Sequence, residues 1–206
     1  MPRAASPTLR EDLLKAALQI VEEKGTAGLT MRLVAGALGS SATAIYQHFR
    51  SKEELSLALK IQAGDLLTQE TERTRQEPAP EERRFQMGRR YIRFGLENPT
   101  YYRLIFQDTS LDPICSPQQT ERLRQSWSIM CGTMQTWVEE RGFQGIYIDQ
   151  EANVLWMMVR EHTSLALARR LSSTQLDHVF ALFDLSGSGR MIGLLSTQTH
   201  TIKSPS

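Results

Sequence analysis

The chain has few cysteines, no long apolar run and almost no net charge. Its 206 residues include only Cys115 and Cys131, which favours two free thiols in a reducing compartment, with a single disulfide as the alternative. No run of about 18 apolar residues is present to span a bilayer. The first dozen residues lack the apolar core of a secretory signal. These absences lead us to expect a cytoplasmic protein.

The formal net charge of +1 gives no argument that the whole protein attracts nucleic acid. The first sixty residues are also nearly balanced, because eight basic side chains face six acidic ones, a difference of +2. Any binding to DNA must therefore depend on local placement of basic groups near phosphates. The candidates for such placement are Arg3, Arg32, Arg50 and Lys52.

Motifs that carry catalytic or metal chemistry are missing from the sequence. There is no His-Glu-x-x-His, no paired Cys-x-x-Cys, no Gly-x-Ser-x-Gly and no phosphate-binding glycine loop. The pairs Glu161-His162 and Asp177-His178 suggest a metal site, but such pairs on helices are usually surface or core residues. We therefore expect no enzyme, no metal site and no cofactor.

Helical periodicity dominates the chain, and strand alternation of useful length and internal repeats are absent. Two Thr/Ser-x-x-Glu capping boxes, at Thr8 and Ser51, predict helix starts. Gly25, Gly39, Gly142 and the prolines at 78, 80 and 117 mark helix ends and loops. The sequence thus predicts an all-α protein with helices near 8–24, 30–38, 41–47, 51–74, 81–96, 99–107, 117–140 and 149–171, and from 174 onward.

Two of the predicted helices have unusual side-chain patterns. The helix at 81–96 carries five arginines, for which we expect a solvent-exposed face, with nucleic-acid binding as the alternative; they are Arg83, Arg84, Arg89, Arg90 and Arg93. The helix at 149–171 is more uniformly apolar, which predicts burial on more than one of its faces.

The segment from Thr30 to Leu55 is the most informative part of the chain. It predicts a helix capped by the Thr30 hydroxyl, a turn at Gly39, a very short second helix and a third helix opening at Ser51. A helix as short as residues 41–47 is unstable alone, so Ile45 and Phe49 are its expected anchors. Small and hydrogen-bonding side chains on its other face suit close approach to a major groove.

This segment resembles the helix-turn-helix of TetR-family transcriptional regulators. The likeness lies in Ala-x-x-x-Gly from residue 35, Ile-Tyr-x-His-Phe from 45 and Ser-Lys-Glu-x-Leu from 51, and it extends upstream through LLKAALQIVEEKGTAGLTM. Leu33, Ser40 and Ala42 depart from the residues usual in the family. The resemblance implies an N-terminal three-helix helix-turn-helix DNA-binding domain followed by a C-terminal helical bundle.

The predicted DNA contacts follow from this segment. Thr43, Ala44 and Gln47 are expected to contact bases, and Tyr46, His48 and Lys52 to contact phosphates. The full predicted set is Thr30, Arg32, Ser41, Ala42, Thr43, Ala44, Tyr46, Gln47, His48 and Lys52.

The resemblance also implies an effector site and a dimer in the rest of the chain. We predict residues 1–54 as the DNA-binding domain, 55–197 as the ligand-binding and dimerisation domain, and 198–206 as a disordered tail. Large aromatic and methionine side chains suit an apolar pocket, although ordinary core packing is the alternative for each. The candidate ligand-binding residues are Tyr91, Phe94, Tyr102, Phe106, Trp127, Met130, Met134, Trp156 and Arg160. Arg160, in a largely apolar helix, is expected to need an acidic residue or an anionic ligand.

The sequence therefore predicts a homodimeric regulator that binds a double-stranded DNA operator and responds to a small-molecule effector, with repression expected over activation. The alternative is an all-α adaptor or ligand-binding protein that has lost specific DNA binding.

Overall fold

The computed structural model describes residues 7–107 and 114–169, together with Gln175, Asp177, His178, Phe180 and Ala181. These residues form helices without a strand among them, which confirms the predicted all-α class. The helices are α1 (Pro7–Gly28), α2 (Met31–Ala37), α3 (Ala42–Tyr46), α4 (Lys52–Glu72), α5 (Pro80–Glu97), α6 (Pro99–Phe106), α7 (Pro117–Glu140) and α8 (Ile148–Arg169), with a 3-10 helix at Arg73–Gln76. The predicted helix from residue 174 lies largely outside the described residues, and the predicted tail lies wholly outside them.

Helix α1 begins at Pro7 and is kinked at Gly25, where the backbone has a φ of 71°. Only glycine adopts this conformation without strain, so the predicted stop at this residue becomes a kink followed by one more helical turn. Leu13, Ala17 and Val21 are buried along one stripe, as their spacing predicts.

The capping predictions for α2 and α4 are confirmed by their hydrogen bonds. The Thr30 hydroxyl accepts from the backbone N–H of Leu33 at 3.2 Å, and the Ser51 hydroxyl accepts from that of Glu54 at 3.2 Å. The Glu54 carboxylate accepts from the N–H of Arg50 at 2.7 Å, one residue earlier than in an ideal capping box. These bonds satisfy amides that have no partner within the helix.

The chain divides into two compact units, and the first comprises Met1–Thr68 and Asn98–Ser126. Its core joins α1, α2, α3, the start of α4 and Leu104 of α6 in a single cluster of buried apolar side chains. At the start of α6, Asn98 occupies the N-cap position without a capping bond from its side chain, and Pro99 is the first helical residue.

The second unit comprises Gln69–Glu97 and Trp127–Ser206. Within it α5 and α8 pack against each other. The buried residues of α8 form one stripe, which runs through Ala152, Leu155, Val159, Thr163 and Ala166. The prediction of burial on more than one face is therefore wrong for the single chain, because Met157 and Leu165 on the opposite face are 56% and 42% exposed.

The predicted solvent-exposed arginine face of α5 is also wrong in part. Arg93 is exposed, but Arg84 is only 5% exposed. The Arg84 guanidinium carbon lies 4.3 Å from the ring centroid of Phe85 and 5.4 Å from that of Trp137. A guanidinium is weakly hydrated and stacks on aromatic faces, so Arg84 belongs to the packed side of the helix with Met87 and Tyr91.

We expect Leu13→Ala to reduce the free energy of unfolding by about 2–5 kcal/mol, because the truncation leaves a cavity in a fully buried site. Urea denaturation measures the change. Gln19→Ala, on the exposed side of the same helix, is the control and should change stability by no more than about 0.5 kcal/mol. Equal stabilities of the two variants would contradict the assigned core.

The start of α4 should also make stability depend on pH. Hydrogen bonds from its own backbone N–H and from the Ser51 hydroxyl lower the pKa of the Glu53 carboxyl from its usual 4.5. When a carboxyl has a lower pKa in the folded protein than in the unfolded chain, its ionised form stabilises the fold. This stabilisation is complete above the pKa of the unfolded chain and is lost as the pH falls through the pKa of the folded protein. The stability difference between wild type and Glu53→Gln should therefore be larger at pH 6 than at pH 3. A difference that does not change with pH would contradict this role.

Candidate nucleic-acid interface

Helices α2 and α3 meet at a tight turn. Gly39 has a φ of 59°, a left-handed conformation that favours glycine. The backbone N–H of the next residue, Ser40, donates to the carbonyl of Ala35 at 3.0 Å. The turn is thus closed by backbone bonds, which accounts for a serine being accepted at this position.

Helix α3 has only five residues, Ala42–Tyr46, and two kinds of interaction hold it in place. Its N-terminus is capped by Ser41, whose hydroxyl accepts from the backbone N–H of Ala44 at 3.3 Å. Ile45 and Phe49 are fully buried in the core of the first unit, which confirms both anchors. The cap at Ser41 was missed by the sequence reasoning, although a serine before a short apolar run is a known signal for it.

The opposite side of α3 is open. Ser41, Thr43 and Gln47 are exposed, Ala44 is half-buried, and Tyr46 is 52% exposed. This surface carries hydroxyl, amide and phenol groups and no buried apolar side chain. It presents hydrogen-bonding groups to the outside while the other face of the helix is fixed.

Four further predicted contact residues lie around this surface in different environments, and the side chain of Ala42 lies outside the described part of the chain. Thr30 and Arg32 are exposed at the start of α2, and His48 is half-buried after α3. Lys52 is half-buried, and its ammonium donates to the carbonyl of Ala27 at 3.4 Å. Lys52 therefore also ties α4 to the end of α1, a contact that the sequence reasoning did not predict.

Leu33 departs from the family pattern for a structural reason. It is partly buried and packs against the core of the first unit. An apolar residue therefore replaces the usual polar one because the site faces the core at this turn.

Of the basic groups expected near phosphates, Arg50 is exposed, and Arg3 lies outside the described residues.

Seven of the candidate effector-binding residues belong to the second unit. Tyr91, Phe94, Met130 and Met134 are buried. The half-buried rings of Trp127 and Trp156 meet edge to face with centroids 5.9 Å apart. The guanidinium of the last of the seven, Arg160, lies 4.6 Å from the Trp156 centroid. This unit thus contains a large aromatic and methionine-rich interior, and its role in binding an effector stays a prediction.

Tyr102 and Phe106, the other two candidates, belong to the first unit. Both lie on α6, and their ring centroids are 5.1 Å apart. Tyr102 is fully buried. Beside them, burial raises the pKa of the Tyr101 hydroxyl, with a smaller contribution from the carboxylate of Glu22 on α1.

Within the described segments, no group of three or more His, Cys, Asp or Glu side chains is arranged to hold a metal ion. None of the described helices is both long and apolar enough to cross a membrane.

Comparison with known proteins agrees with this geometry. Residues 13–59, which contain α2 and α3, match the family model described as bacterial regulatory proteins of the tetR family. No curated protein matches the sequence.

Several solved structures are similar to the chain over most of its length. A protein of unknown function from Rhodococcus sp. RHA1 has a TM-score of 0.72 at 22% identity, covering 91% of this chain and 97% of its own. The TetR-family regulator PfmR of Thermus thermophilus has a TM-score of 0.64 at 19% identity, with coverages of 84% and 95%. FadR of Bacillus subtilis, solved with stearoyl-CoA, has a TM-score of 0.68 at 14% identity, with coverages of 86% and 98%.

At these identities the likeness concerns the fold, and the family match concerns the DNA-binding segment itself. Residues 13–59 therefore match the helix-turn-helix domain of the TetR family of bacterial regulatory proteins, and the chain as a whole shares the fold of solved TetR-family regulators.

Proposed function

We propose that the protein is a homodimeric transcriptional repressor that releases its operator when a small molecule binds the C-terminal domain. The observation that supports DNA reading most directly is the open face of α3, which presents Thr43, Tyr46 and Gln47 while Ile45 and Phe49 are buried. In this proposal Thr43, Ala44 and Gln47 contact bases. The groups at the edges, including Tyr46, Arg32 and His48, contact phosphates.

The proposal requires a dimer, because a helix as short as α3 reaches few bases. Two such helices about 34 Å apart would contact successive major grooves. The exposed side of α8 supports this requirement, since Met157 and Leu165 lie two turns apart on a face left open in the single chain. Apolar residues at such spacing suit packing against the same helix of a second copy.

The effector step is proposed as a two-state equilibrium. A ligand shifts operator affinity only by the difference between its affinities for the two conformations. The interior of the second unit, with Tyr91, Phe94, Met130 and Met134, suits an apolar ligand. Stearoyl-CoA is the first compound to assay, because FadR shares this fold and was solved with that ligand.

We expect Tyr46→Ala to weaken operator binding about tenfold or more, the order expected for losing a hydrogen bond to a charged phosphate. The melting temperature should change little, because the ring is half-exposed. Gel shifts with the DNA upstream of the gene, at several salt concentrations, measure the effect. Wild-type binding should fall steeply with salt, whereas the alternative, an adaptor without DNA binding, would show no specific shift.

The matched control is Tyr147→Ala, which removes a tyrosine that is 73% exposed in the second unit. It should leave operator affinity unchanged. Equal affinities of wild type and Tyr46→Ala would refute the role assigned to α3.

Lys52→Ala tests a phosphate contact separately. The slope of log operator affinity against log salt concentration should decrease in magnitude by about one. Because the Lys52 ammonium also bonds to the carbonyl of Ala27, we expect some loss of stability as well.

For the dimer, we expect Leu165→Asp to shift the protein to monomers, because two carboxylates would be buried at the twofold contact. Sedimentation velocity measures the oligomeric state. Gln69→Asp, on an exposed polar position of α4, is the control and should remain dimeric. A Leu165→Asp protein that stays dimeric at the same concentration would place the interface elsewhere.

A further inference from the structure

A groove of about 520 Å³ lies within the first unit, away from the open face of α3. Its walls come from the first turns of α1, from α4, and from Ser116 with the first turns of α7, and Phe49 forms part of its lining. This volume falls in the range of small-molecule sites. The groove uses neither the predicted base contacts nor any candidate effector residue of the second unit.

One wall of the groove is a single face of α4. Glu54, Ala58, Ile61 and Asp65 all line it, at spacings of four, three and four residues, which place them on one side of a helix. Glu54 and Asp65 are separated by a helical rise of about 16 Å. The wall therefore has a carboxylate at each end, and between them lie the apolar side chains of Ala58 and Ile61 beside the amide of Gln62.

The charges at the two ends are not equivalent. At the α7 end, Asp65 forms an ion pair with Arg122, which neutralises its charge. At the α1 end, Glu11 forms no ion pair with a side chain that the structure describes, and Glu54 uses one carboxylate oxygen for the N–H of Arg50. The guanidinium of Arg10, which also lines the groove, lies 5.0 Å from the centroid of the Phe49 ring.

The chemistry of a complementary ligand follows from this asymmetry. The lining contains three carboxylates against two guanidiniums, so one negative charge is in excess, and it lies at the α1 end, where Glu11 and Glu54 are opposed by Arg10. The middle is apolar at Ala58 and Ile61. The α7 end offers amide groups from Gln118 and Gln119 beside the neutral ion pair. An anion would meet the unneutralised carboxylates, whereas a cation would offset them.

We propose that this groove binds an elongated organic cation. Its ammonium group lies between the carboxylates of Glu11 and Glu54, its methylene chain covers Ala58 and Ile61, and its far end is neutral and hydrogen-bonds to the glutamines at the start of α7. This site is separate from the effector site of the proposed function and does not depend on DNA binding.

The probe for the test is 6-aminohexanamide, which carries an ammonium, five methylenes and a neutral amide. Isothermal titration of the full chain without DNA should give saturable binding. Hexanamide, without the ammonium, and 6-acetamidohexanoate, with a carboxylate in its place, should bind at least tenfold more weakly. Equal binding of hexanamide would overturn the cation assignment.

Variants locate the site. Glu11→Gln should weaken binding of 6-aminohexanamide about fivefold, the upper range for an exposed charge pair. Glu23→Gln, an exposed carboxylate on the same helix outside the groove, should have no effect. Gln62→Lys places a competing ammonium in the groove and should reduce binding further than Glu11→Gln does.

Absence of saturable binding, or unchanged affinity in both Glu11→Gln and Gln62→Lys, would refute the site. Failure of this test leaves the proposed function untouched, because operator binding is measured without the probe. Melting temperatures of the variants close to wild type confirm that a loss of affinity does not come from unfolding.

Discussion

The burial of Ile45 and Phe49 is the constraint on which the DNA-reading surface depends. A helix of five residues gains too few hydrogen bonds to offset the entropy of ordering its backbone. The two side chains join a core that also holds Leu13, Val34 and Leu55, so the position of α3 is set by α1, α2 and α4 together. The exposed face of α3 is then free to carry the hydrogen-bonding residues that we propose contact DNA.

The same packing accounts for two of the residues that depart from the TetR-family pattern. Leu33 is apolar because it packs on that core, and Ser40 is accepted because the turn is closed by backbone bonds. Lys52 donates to the end of α1, so it contributes to the assembly of the three helices as well as to the proposed phosphate contact. Structural roles and proposed DNA-contacting roles therefore overlap at the edges of the surface and separate at its centre.

Apolar periodicity and caps predicted the helices of the described segments well, and α7 begins and ends at the predicted residues. Periodicity and caps did not predict the burial of side chains that can lie either in solvent or in the protein interior. Arg84 is long and amphipathic, so its charge predicted solvent, whereas its neighbours Phe85 and Trp137 provide aromatic faces that no local pattern reveals. For α8 the composition predicted burial of several faces, and the single chain buries one.

The sequence by itself determined the all-α class, the resemblance to the TetR family and the segment proposed to read DNA, because caps, glycine turns and periodicity act over a few residues. Only the tertiary structure decided that Ser41 caps α3, that Lys52 bonds to Ala27 and that Glu11, Glu54 and Arg122 line one groove. The physical reason is distance along the chain. Glu11 and Arg122 line one groove because both of their helices lie beside α4: α1 shares a core with its first turns, and Arg122 pairs with its Asp65. A groove between helices exists only after those helices have packed.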